Sequence, residues 1–143
     1  MCQRQYADSA FNGEGARRFG GRWNRKGQAA IYTAATLSLA ALEILVHVDT
    51  DLIPNDYSAL GVEWPDDLSM TTIQTGDLPA DWQQEYPPLA CQQLGADWLA
   101  ENHSAILKVP SAIIPHEHNY ILNPAHADYN RLKIHPLHFR FFY

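Results

Sequence analysis

The segment Leu37–Val48 constrains the fold of this chain more than any other. Leu37, Leu39, Leu42, Ile44, Leu45, Val46 and Val48 would surround a helix on almost every side, and Thr36 is placed to cap its first turn. A helix apolar nearly all round must be covered by other elements, so this one is expected to be central rather than superficial. Its single acid, Glu43, has Leu39, Ala40, Val46 and His47 as its i±3 and i±4 neighbours. An ionised carboxylate in such surroundings is costly without a dedicated partner. Glu43 is therefore a structural pair, a polar helix edge, or a functional group, because functional sites are where such carboxylates collect.

Around that helix the pattern predicts a mixed α+β domain. Residues 29–33 read as a short buried strand. Leu60, Val62 and Trp64 alternate with Ala59, Gly61 and Glu63 in a second strand ended by Pro65. A second helix is expected over 88–101, with Pro88 in its first turn and Ala90, Leu94 and Trp98 on one face. Residues 104–109 form a further strand stopped by Pro110. The first 28 residues, and the stretch 115–130 with Asn119, Asn123-Pro124 and Asn130, read as loop. Extended segments close the chain around Leu132–Ile134 and Leu137–Tyr143. With few helices and no regular β-α-β alternation, a doubly wound sheet is excluded. The 143 residues suit one domain, and no stretch is polar enough for an interdomain linker.

Charge and composition narrow the function. The formal net charge of −6 argues against nucleic acid as a direct partner, since phosphate binding needs a basic footprint. Residues 1–26 nevertheless hold Arg4, Arg17, Arg18, Arg22, Arg25 and Lys26, a local patch suited to a small anion such as a nucleotide. Cys2 and Cys91 are too few for a disulfide framework and fit reduced thiols. No apolar signal region or membrane-length run is present, so a soluble, cytoplasmic protein is expected.

Standard fingerprints fail. Gly13, Gly15, Gly20 and Gly21 do not make GxGxxG, because Arg18 stands where the third glycine belongs, and Gly21-Arg22 replaces the Lys-Ser/Thr of a Walker A loop. His116-x-His118 and His135-x-x-His138 lack an acid or cysteine at a metal-site spacing, so no metal is expected. Without a GxSxG elbow, Ser111 has no claim as a hydrolase nucleophile. Gly20-Gly21-Arg22-Trp23-Asn24 remains: paired glycines admit close backbone approach, and Arg22 is either a bidentate anion ligand or a solvated turn residue.

The order of several runs carries more information. Phe11-Asn-Gly-Glu-Gly-Ala-Arg-Arg-Phe-Gly-Gly-Arg-Trp-Asn24 resembles the opening signature of the RES-domain family. Ala30-Ile-Tyr-Thr-Ala34, then Ser38-Leu-Ala-Ala-Leu-Glu-Ile-Leu-Val-His47, resemble its next block. Val109-Pro-Ser-Ala-Ile-Ile-Pro115 and Asn119-Tyr-Ile-Leu-Asn-Pro124 resemble the third and fourth. The resemblance spans nearly the whole chain, 1–143. It implies a fold like that of ADP-ribosyltransferases, two small packed β-sheets with flanking helices. It also implies a toxin of a bacterial toxin–antitoxin pair that degrades NAD as its substrate, without a separate cofactor.

By the same resemblance, Arg22 would hold the NAD phosphates and Tyr32 would stack near the nicotinamide or its ribose. Glu43 would be the catalytic carboxylate, with Ser111 and Asn119 completing the pocket. The implied partner is a cognate Xre-like DNA-binding antitoxin, and a homodimer within the toxin–antitoxin complex is compatible with it. The chain begins at Met1-Cys2-Gln3, where compared family members carry an extra strand with an aromatic–Arg pair. Two other readings stand beside the NAD-degrading one. A protein ADP-ribosyltransferase often has a second acid two residues before the catalytic one, where this chain has Ala41. A scaffold without activity, kept for antitoxin binding, is the third.

Overall fold

The computed structural model describes residues 1–48, 57–86 and 88–138. Among the described residues seven strands form two sheets, the α+β arrangement expected. A three-stranded antiparallel sheet has the order β1 (Cys2–Gln3), β3 (Tyr57–Glu63), β7 (Lys133–Leu137). The four-stranded sheet runs β2 (Ile31–Ala34), β6 (His118–Leu122), β5 (Ile106–Pro110), β4 (Met70–Thr72). Only its β4–β5 pair is parallel. Three α-helices complete the described chain: α1 (Glu14–Phe19), α2 (Leu37–Leu45) and α3 (Leu89–Glu101). No described helix is long and apolar enough to cross a membrane.

The core has two parts. Trp23, Trp82, Trp98, Cys91, Leu107, Val109 and Ile121 pack where α3 and the Trp23 loop cover the larger sheet. Ile31, Leu68, Ala105, Ile106, Leu122 and Leu132 form the second, beside an edge-on Trp64–Tyr120 pair with centroids 5.2 Å apart. Leu60, Val62 and Trp64 line a 290 Å³ cavity between the sheets, while Tyr57 and Ala59 on the opposite face of β3 are buried too.

Several elements depart from the sequence expectations. The first 28 residues hold a 3-10 turn at Arg4–Ser9 and the helix α1. At six residues, α1 is too short for a periodicity to register. It is recognisable only by the Asn12 side chain accepting the Glu14 N–H at 2.9 Å and the Glu14–Arg17 pair. The 115–130 stretch contains β6 and a 3-10 turn at Ala127–Arg131, because pairing with both β2 and β5 overrides local turn preferences. Pro88 caps α3 instead of entering it. The buried face of α3 is Cys91, Gly95, Ala96 and Trp98, with Ala90 exposed. The Phe139–Tyr143 part of the expected closing segment lies outside the described residues.

The helix α2 begins as expected, Thr36 Oγ1 accepting the Leu39 N–H at 3.1 Å. It is less central than its composition suggests, since Leu39 alone of its residues is buried. Leu37 and Ala40 face the cavity between the sheets, while Glu43 and the following Val46 and His47 face a larger one. A helix bordered by two cavities keeps partly open sides.

Candidate functional site

The larger cavity, 750 Å³, lies within the usual size range of small-molecule sites. Arg22, Tyr32, Glu43 and Asn119 line it, with His47, Gln83, Glu85 and Gln92 around them. Residues that span the sequence from 22 to 119 therefore meet at one concavity, on the side of the larger sheet bordered by α2 and the Trp23 loop.

Glu43 has the dedicated partners its surroundings demand. Its Oε1 accepts from the Ser111 hydroxyl at 3.0 Å and from Asn119 Nδ2 at 2.8 Å, and its other oxygen bonds to no described residue. Ser111 does not line the cavity; it is fully buried behind the carboxylate. The Ser111 oxygen accepts the N–H groups of Ile113 at 3.1 Å and Ile114 at 3.2 Å. With its lone pairs so engaged, the hydroxyl proton has one direction left, toward Glu43. Asn119 stands on β6 opposite Ala34 of β2, half-buried, with its amide turned to the same carboxylate oxygen. Its Oδ1 is enclosed and accepts nothing from the described residues, so Glu43 alone sets the amide's orientation.

Tyr32 is 40% exposed, yet its hydroxyl is engaged by hydrogen bonds on both sides. That hydroxyl donates to Asn24 Oδ1 at 2.6 Å and accepts the Trp23 N–H at 3.0 Å. Burial pushes its pKa up to about 12, against the opposing pull of the Trp23 hydrogen bond and the Arg22 charge. The folded state thus holds this proton more tightly than the unfolded chain, whose tyrosine titrates near 10. The resulting stabilisation is intact below the unfolded value and is lost as the pH climbs toward 12. In an alkaline absorbance titration, Tyr32→Phe is expected to remove a phenolate signal from the last step, above about pH 11. Removal of an ordinary signal near pH 10 would contradict the engaged hydroxyl.

The Arg22 loop is held from several directions. A Cβ on Gly21 would come within 2.5 Å of the Tyr32 hydroxyl, so only glycine admits the ring here. Asn24, fully buried, donates through Nδ2 to the carbonyls of Ala16 (2.9 Å), Arg25 (3.2 Å) and Gln28 (3.1 Å). Gln92 of α3 donates to the Gly21 carbonyl at 3.1 Å. The Arg22 guanidinium donates to the Trp82 carbonyl and, at 2.8 Å, to the Gln84 carbonyl, leaving further N–H groups for an anion. Arg22 is therefore a fixed residue of the cavity wall and not a solvated turn arginine.

Asn24 and Gln92 are the supporting residues that sequence reasoning missed. Asn24 stood in the glycine–arginine run, where an asparagine ahead of a further turn is a weak hint of side-chain capping. Gln92 gave no signal, since its partner is a backbone carbonyl 71 residues away. No group of His, Cys, Asp and Glu that could hold a metal ion occurs among the described residues.

Fold and site together describe a two-sheet α+β protein with an arginine–tyrosine–glutamate cavity. The RES domain family model matches residues 1–143, and the chain belongs to that family. It is 39% identical over 132 residues to Toxin Res of Photorhabdus laumondii subsp. laumondii, covering 92% of this chain and 83% of that protein. Toxin Res of Yersinia enterocolitica is 37% identical, covering 99% and 93%. A protein of Sphingobium sp. named Prs ADP-ribosylating toxin is 36% identical, covering 91% and 82%. The crystal structure of the M. tuberculosis MbcT–MbcA toxin–antitoxin complex contains a chain of the same fold. Its TM-score is 0.67 at 21% identity, over 87% of this chain and 75% of that one.

Proposed function

We propose that this protein is the toxin of a bacterial toxin–antitoxin pair and cleaves the nicotinamide–ribose N-glycosidic bond of NAD, with water or phosphate as acceptor. The observation that carries the reading is the Glu43 carboxylate, fixed by Ser111 and Asn119 in the wall of a cavity that also presents Arg22 and Tyr32.

The chemistry matches those groups. As the C1′–N bond lengthens, the electron pair passes to the pyridinium nitrogen and positive charge grows on the ribose ring. A carboxylate beside that ring stabilises the oxocarbenium-like state more than the ground state. Nicotinamide departs as a neutral molecule and needs no proton, so one acid suffices where ordinary glycosidases use two. Water attack at C1′ then gives ADP-ribose and releases one proton. Arg22 would orient the pyrophosphate and Tyr32 would pack its open ring against the nicotinamide end. A cytoplasmic protein of this kind needs a restraint in its own cell. The fold neighbour comes from a toxin–antitoxin complex, which supports a cognate antitoxin as the partner here, and the family resemblance implies that it is Xre-like and DNA-binding.

A second reading, transfer of ADP-ribose to a protein, is favoured by the name of the Sphingobium relative, an ADP-ribosylating toxin. Ala41, at the position of the second acid in many such transferases, speaks for a small acceptor. Proton NMR of antitoxin-free protein with NAD, with and without phosphate, tests the first reading. Nicotinamide release is expected, and its dependence on phosphate names the acceptor. A folded chain that releases none overturns it, and tagged NAD appearing on a protein target would favour the second.

A further inference from the structure

A lone exposed phenylalanine on a protein surface usually means nothing. Phe19 is different because of where it stands: 78% exposed, it lines the same 750 Å³ cavity as Arg22 and Glu43. It ends α1, and Gly20 turns the chain sharply after it, with φ +70° and its N–H on the Ala16 carbonyl at 2.8 Å.

The contacts of the site give the cavity a direction. Glu43 and Asn119 mark one end, beside Ala34 of β2. Tyr32 lies two residues along that strand on the same face, and its hydroxyl meets the Trp23 N–H and the Asn24 side chain. Gly21 lies against that hydroxyl, and its bridge to Asn24 closes a tight turn with Arg22 at its tip and Phe19 two residues before Gly21. The cavity wall therefore runs from the carboxylate past the tyrosine to a turn that carries both the arginine and, at its start, the phenylalanine. A dinucleotide bound with its nicotinamide ribose at Glu43 and its pyrophosphate at Arg22 has an adenine left over, on the side of the cavity that this turn and Phe19 form.

We infer that Phe19 is the adenine-binding residue of this cavity, its exposed ring stacking on the base and discriminating a dinucleotide from a mononucleotide substrate. The inference rests on the NAD-cleaving reading for the direction of the ligand. Aromatic stacking suits the task, since every base offers a π-face and the ring requires no hydrogen-bond partner. It also explains why a large apolar side chain stays in solvent next to a charged group when α1 has a core-facing side available through Ala16.

The test compares NAD with nicotinamide mononucleotide, which keeps the scissile bond and lacks the adenosine half. Phe19→Ala is expected to raise KM for NAD about tenfold with kcat unchanged, and Phe19→Trp to restore it. Nicotinamide mononucleotide should be cleaved alike by wild type and variant. Because the ring is largely in solvent, its removal leaves the core intact. An unchanged KM for NAD, or an equal loss with both substrates, overturns the proposal. Should the wild type cleave neither substrate, the proposed activity fails, and calorimetry with ADP still decides the role of Phe19. About tenfold weaker ADP binding by Phe19→Ala supports stacking, and equal binding rejects it.

Discussion

Glu43→Gln is expected to lower the rate of nicotinamide release by about 10²–10³-fold while KM for NAD changes little. The substitution keeps the shape of the side chain and an oxygen for Ser111 and Asn119, so the hydrogen bonds at 3.0 and 2.8 Å persist and only the charge goes. A charge that acts on the developing oxocarbenium ion matters in the transition state and not in the bound ground state, which places the loss in kcat. Ser111→Ala removes one of the two donors and leaves the Ile113 and Ile114 N–H groups without their acceptor in a half-buried turn. It should cost about 1–3 kcal/mol of stability. It should also slow release by less than Glu43→Gln does, because Asn119 still holds the carboxylate. Single-turnover measurements on both variants separate these effects. Wild-type rates in Glu43→Gln would remove the carboxylate from the chemistry.

How far this site was legible in the sequence depends on the range of the interaction. Glu43 stood out because helix periodicity surrounds it with apolar neighbours, a property local to one segment. Arg22 stood out beside its paired glycines, but as either an anion ligand or a solvated turn residue, and Tyr32 was picked out by resemblance alone. The contacts that fix them, the Trp82 and Gln84 carbonyls and the Asn24 amide, follow from the folded path of the chain. Ser111 was placed at the pocket, whereas it stands behind Glu43, because a side chain's depth depends on the turn that carries it. The strand β6 was hidden for a related reason. Turn-forming Asn119 lies within it and Asn123 follows it, but its two neighbours in the sheet supply the pairing that makes it extended. Strand character imposed by partners leaves little trace in the segment itself.

The helix α3 shows the same limit in its sharpest form and yields the largest stability effect expected in the molecule. Ala90, Leu94 and Trp98 suggested its buried face, yet the closest approach is made by Gly95, which no hydrophobic pattern would select. A Cβ at Gly95 would lie 1.8 Å from the Trp23 carbonyl oxygen and 2.5 Å from its carbon. Two effects oppose each other in Gly95→Ala. Alanine favours the helix by about 1 kcal/mol over glycine. Against that, the obstacle is backbone, which cannot rotate away as a side chain would, so α3 and the Trp23 loop must part. That separation opens the core of Trp23, Cys91 and Trp98 and is expected to cost about 3 kcal/mol or more, so the clash decides the sign. Thermal unfolding followed by circular dichroism should show Tm lowered by roughly 10 °C. The consequence reaches the cavity, because Gln92 on the same helix holds the Gly21 carbonyl beside Arg22. Folded Gly95→Ala should therefore bind NAD more weakly. A Tm equal to or above that of the wild type would mean that α3 does not press on the Trp23 carbonyl.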